Sequence, residues 1–93
     1  MANIKEIIKS IDETYHTTKD GTPIYPERYY YVGNYYNGIA KVKKNDKMWH
    51  IDKKGTPIYS ERYDNVGSFN NGITWVKKDD KMWYINKKGK RVE

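Results

Sequence analysis

The chain has 93 residues, a net charge of +6, 32% charged residues, ten tyrosines, three tryptophans and no cysteine. A domain of this size buries only about 60 to 65% of the surface its unfolded form exposes, and without cysteine neither a disulfide framework nor a closed structural zinc site is open to it, so repeat stacking or oligomerisation has to support a thin core. The aromatic content argues against a disordered polar chain, and no apolar run is long enough for a helical membrane span.

Residues 1–20 come first. Ile4, Ile7, Ile8 and Ile11 recur at helical spacing, and Asn3 stands three residues before Glu6 in the pattern of a capping box. The spacing predicts an α-helix of about two to three turns over residues 4–13. Such a helix is marginal alone in water, so its isoleucine stripe is expected to dock on a sheet face or a partner and to cap the rest of the chain. The N-terminal residues lack the apolar stretch of a secretion signal, so a cytoplasmic location away from membranes is expected.

Residues 21–54 read GTPIYPERYYYVGNYYNGIAKVKKNDKMWHIDKK and residues 55–88 read GTPIYSERYDNVGSFNNGITWVKKDDKMWYINKK. The two segments align without a gap and differ at eleven of 34 positions, which makes them tandem copies of one local structure. In each copy two strand-like runs flank a pair that tolerates positive φ, Asn45-Asp46 or Asp79-Asp80, so an antiparallel hairpin with a two-residue loop is predicted. That loop sets Val42 opposite Trp49, Lys41 opposite His50 and Ala40 opposite Ile51. One face then carries Val42, Trp49 and Ile51 in the first copy and Val76, Trp83 and Ile85 in the second, as structural core. The other face, with Lys41, Lys43, Met48 and His50, is expected to meet solvent.

After the hairpin, Asp52-Lys-Lys-Gly55 reads as a turn and Thr56-Pro-Ile-Tyr59 as a short third strand, with the proline restricting it to an edge. The predicted fold is therefore mainly β, with tandem three-stranded antiparallel meander repeats of 34-residue period behind a short N-terminal α-helix. Residues 89–93 begin a third copy. Two copies with fragments fall short of the roughly three repeats such arrays need, so either self-pairing or membership of a longer array is expected.

The string Lys47-Met-Trp-His-Ile-Asp-Lys-Lys-Gly55, followed by a short apolar strand, and the strand entry Asn37-Gly38-Ile39-Ala40 resemble the bacterial WG repeats, also called KWG repeats, over nearly all of residues 21–93. Met48-Trp49 and Met82-Trp83 stand where that family has its Trp-Gly pair. The resemblance implies a β-repeat scaffold without a shared catalytic motif. A weaker resemblance joins the stretch from Trp75 to Gly89 to the aromatic repeats that bind glucan or choline on cell walls, whose units are shorter and belong to exported chains.

Trp75 opposite Tyr84, beside Met82, forms an aromatic patch on the predicted outer face. It reads first as a seat for the isoleucine helix or a second subunit, and second as a stacking surface for a sugar or base. Tyr30, Tyr31 and Tyr36 become Asp64, Asn65 and Asn70 in the second copy, which marks them as exposed recognition candidates. Lysines 41, 43, 44, 47, 53 and 54 read as solvated hairpin edges rather than a phosphate-binding stripe. His16 and His50 carry no catalytic spacing, and Tyr84 replaces the histidine in the second copy, so both read as surface variation. No enzyme, metal or cofactor is expected. The expected function is a non-catalytic binding or assembly module that contacts itself or another protein, with a glycan as the alternative ligand and nucleic acid disfavoured.

Overall fold

The computed structural model describes residues 6–92, and among them the chain is entirely β and turn. Nine strands come in order: β1 (Ile7–Lys9), β2 (His16–Thr18), β3 (Tyr31–Val32), β4 (Ala40–Lys44), β5 (Lys47–Ile51), β6 (Asn65–Val66), β7 (Ile73–Lys78), β8 (Lys81–Asn86) and β9 (Arg91–Val92). They form three antiparallel sheets, β1-β2, β3-β4-β5 and β6-β7-β8-β9, along a body of 42 × 28 × 17 Å.

The helix expected over residues 4–13 is not seen. Ile4 lies outside the described residues, while Ile7 and Ile8 sit in β1, paired with Thr18 and Thr17. β1 lies one period before Lys41–Lys43 of β4, so it is the first strand of an earlier, degenerate hairpin. β-Branched isoleucines fit a pleated, half-buried surface, and a ladder with β2 outcompetes a helix too short to stand alone. Ile8 is 40% exposed and Ile11, in the loop, is fully exposed, so no isoleucine stripe docks anywhere among the described residues.

The two full hairpins have the register their loops predict, with Val42 opposite Trp49 and Val76 opposite Trp83. Asn45 and Asp46 have φ of 55° and 64°, and Asp79 and Asp80 have 53° and 67°, the geometry of a type I′ turn matched to strand twist. Asn37-Gly38 and Asn71-Gly72 make further tight turns, closed by the pairs Tyr36 with Ile39 and Asn70 with Ile73. A short strand precedes each hairpin, Tyr31–Val32 and Asn65–Val66 pairing with β4 and β7, and after the second hairpin β9, one period beyond Pro57–Ile58, pairs with β8 as the expected third strand. The expected strand at Thr56–Tyr59 reduces to a single bridge between Ile51 and Pro57, because proline offers no N–H with which to extend the ladder.

Val32, Val42 and Ile51 in one unit and Val66, Val76 and Ile85 in the next are fully buried. Each such side chain contributes about 1.5–3 kcal/mol of burial free energy. Trp49 is buried, whereas Trp83 is only half-buried. The face expected to meet solvent does not do so in the first unit, where Met48 is 7% and His50 1% exposed. The following unit covers both: Met48 N–H donates to the Tyr63 carbonyl at 2.8 Å and Tyr63 N–H donates back at 3.0 Å. Consecutive hairpins are thereby stitched edge to edge.

Candidate functional site

The junction between units is built around a histidine. His50 has its Nε2 2.8 Å from the Gly67 carbonyl oxygen and its Nδ1 2.6 Å from the Tyr59 hydroxyl. A carbonyl only accepts, so Nε2 carries the proton, and Nδ1 is left to accept from the tyrosine O–H. His16 repeats the arrangement with Gly33 at 2.7 Å and Tyr25 at 2.6 Å. Tyr35 and Phe69 place rings against His16 and His50 at 4.4 and 4.6 Å between centroids. Burial pushes the His50 pKa down to about 4 and lowers that of His16, and it holds the Tyr25 and Tyr59 hydroxyls far above their ordinary range.

A second inter-unit device uses arginine. Arg62 donates to the carbonyls of Tyr59, Ser60 and Glu61, which rigidifies its own bend, and lays its guanidinium 4.1 Å above the Trp49 ring of the preceding unit. Arg28 does the same over Tyr15 at 3.8 Å. Tyr25, Tyr29 and Trp49 continue as edge-to-face pairs, as do Tyr59, Tyr63 and Trp83. Gly55, at φ 86°, lies directly beneath the Tyr25 ring, where a Cβ would collide with it.

On the second hairpin the histidine is replaced by Tyr84, and among the described residues no bend covers it. Met82 is 54% and Tyr84 48% exposed, against 7% and 1% for Met48 and His50 at the equivalent places. Trp75 pairs with Tyr84 across the hairpin but is half-buried, its indole flat against Gly67. Lys41 lays its aliphatic stem on Gly33 in the same way. Trp83 receives Arg91 at 5.2 Å in place of a following unit's arginine.

The tyrosine candidates separate from this patch. Tyr31 and Tyr36 line a cleft of about 220 Å³ with Asn34, Lys9, Lys41 and Ser68, while Tyr30 projects elsewhere, 78% exposed with Lys43 beside its ring. Trp75, Met82 and Tyr84 do not join that cleft. Lys47 is tied to Asp64 of the next unit at 2.7 Å, a hydrogen-bonded pair that holds the carboxyl below its usual range. Among the described residues no group of three or more His, Cys, Asp or Glu side chains is placed to hold a metal ion.

The two histidines are buried at the unit junctions and are not the surface variation expected of them, and the sequence carries a signal of this. His16, Tyr25 and Gly33 recur as His50, Tyr59 and Gly67 at identical spacing, and the third histidine is replaced where no following unit buries it among the described residues. No curated protein and no solved structure matches the chain. The family described as WG containing repeat matches residues 18–47 and 51–81, more than half of the sequence. With its tandem units of hairpin, bend and inter-unit histidine, the chain belongs to the WG containing repeat family.

Proposed function

We propose that the chain is a non-catalytic binding and assembly module that works by contact with protein, a second copy of itself foremost. One observation carries this reading: the outer side of the first hairpin is buried by the unit after it, whereas Met82 and Tyr84 at the same places in the second hairpin stay exposed. An exposed apolar surface at a position that packs against protein one repeat earlier favours a protein partner over a small ligand. Family membership supports a repeat-based binding role. Sedimentation over a wide concentration range tests the proposal, with a concentration-dependent rise in mass expected. A mass that stays at one chain throughout would remove self-association.

A second reading, glycan binding, is favoured by the cleft where Tyr31 and Tyr36 stand beside Asn34, Ser68 and two lysines, since tyrosine rings and polar side chains together suit a sugar. Titration with oligosaccharides followed by tyrosine fluorescence checks it. Binding lost on Tyr36→Ala would move this reading ahead.

A further inference from the structure

We infer that the cleft at the junction of the two units binds a single acidic sugar, a ring bearing a carboxylate or phosphate group that Lys9 and Lys41 hold. The inference rests on the glycan reading and names its ligand class. The cleft takes Lys9 from β1, residues of the first unit between Tyr31 and Lys41, His50, and Ser68 with Phe69 of the second unit. Divergence between the two copies gathers there. The 34-residue copies differ at eleven positions, yet five of the seven first-copy positions lining the cleft differ: Tyr31, Asn34, Tyr36, Lys41 and His50 become Asn65, Ser68, Asn70, Trp75 and Tyr84. Setting aside His50, which the junction already accounts for, four of six still differ. The hairpin turns, arginine bends and buried valines that hold the units together have the same geometry in both copies, whereas this wall changes its chemistry.

The charge of the wall selects the ligand. Among the described residues no carboxylate lines the cleft, and a lysine ammonium only donates, so Lys9 and Lys41 call for an acceptor with negative charge. Lys9 lies 5.7 Å from the centre of the Tyr31 ring and 3.4 Å from Glu13, which does not line the cleft and is half exposed. Lys41 has no ion-pair partner among the described residues. Each lysine also disfavours protonation of the histidine across its ladder, Lys9 that of His16 and Lys41 that of His50, so the histidines add no competing charge. The hydroxyls of Tyr31, Tyr36 and Ser68 and the amide of Asn34 both donate and accept, as ring hydroxyls require. At about 220 Å³ the cleft lies below the roughly 300–1,000 Å³ of sites for drug-sized ligands and suits one ring. The second copy uses the same place for packing: Trp75 lays its indole flat on Gly67, whereas Lys41 covers Gly33 with a flexible stem.

Amide NMR titration of the native chain with glucuronate, glucose-6-phosphate, glucose and inorganic phosphate tests this. Both acidic sugars are expected to shift the amides of Gly33, Asn34, Lys41 and Ser68, the effect weakening as salt rises, and glucose and phosphate to bind about tenfold more weakly. A preference between the two acidic sugars identifies the anionic group. Lys41→Gln, which keeps the stem on Gly33, is expected to weaken both acidic sugars by about tenfold and to leave glucose unchanged. Lys41→Trp puts at this place the residue type the second copy already accommodates, and is expected to abolish binding while the amides away from the cleft keep their native positions. Glucose that binds as tightly as glucuronate would overturn the acidic ligand and leave the glycan reading standing. Phosphate that binds as tightly as glucose-6-phosphate would overturn the sugar ring, and acidic-sugar binding undiminished in both variants would overturn the site. No shift with any sugar would overturn both the inference and the glycan reading beneath it.

Discussion

The His50 ring carries one proton, on Nε2, and lies at the centre of a junction with no room for a second charge. Its folded pKa, about 4, lies below the 6.5 of an unfolded chain, so the unfolded state binds the extra proton first. Stability is thus fully present above pH 6.5 and is lost as the pH falls from there toward 4, by on the order of 3 kcal/mol. His16 adds in the same direction. Urea midpoints at pH 7 and pH 4.5 should differ accordingly, and a flat profile would sink the buried neutral imidazole. Gly67 offers a second residue-scale test. A methyl there strikes the rigid Trp75 indole, whereas a methyl on Gly33 meets only the flexible Lys41 stem. Gly67→Ala should cost about 1–3 kcal/mol, Gly33→Ala much less, and Trp75→Lys should rescue the former, as read by denaturant melts. Pairwise registers were readable at this scale because a two-residue loop leaves no alternative. The role of histidine was not, since the residues that bury it come 9 and 17 positions later, from a bend whose path local pattern does not reveal.

At the level of elements, the array consists of hairpins each covered by the next bend along the chain. That order explains why the same tryptophan has different worth in the two units. Trp49 is buried beneath Arg62 and against Tyr29, so Trp49→Ala should cost about 3–5 kcal/mol. Trp83 is only half-buried, with Tyr63 and the more distant Arg91 against its ring, and Trp83→Ala should cost distinctly less in the same urea experiment. Equal losses would mean the second unit is packed as fully as the first. Ile11→Ser should change stability by less than about 0.5 kcal/mol, because Ile11 makes no buried contact, whereas a docked helix would have lost far more. The hairpins and turns were legible because a 34-residue repeat and the Asn-Asp and Asp-Asp pairs speak locally. The N-terminal strand was not, because isoleucines at positions 4, 7, 8 and 11 satisfy a helical period, and only the paired β2 strand decides against it.

On the scale of the whole molecule, the array has a direction. Among the described residues β1 and β2 copy enough of a full hairpin to bury His16, whereas no bend covers the second full hairpin. A repeat array is a sum of units and interfaces, so a hairpin without a covering unit opens most easily. Amide exchange reads this directly. The Met48 N–H is locked to Tyr63 inside the array and should exchange slowly, near the limit set by global unfolding. The Met82 N–H, at the same place in an otherwise matching hairpin, faces outward and should exchange quickly in dilute solution. Exchange at Met82 that is as slow as at Met48 in the dilute chain would mean that the edge is already covered from within, and the directionality of the array would have to be abandoned.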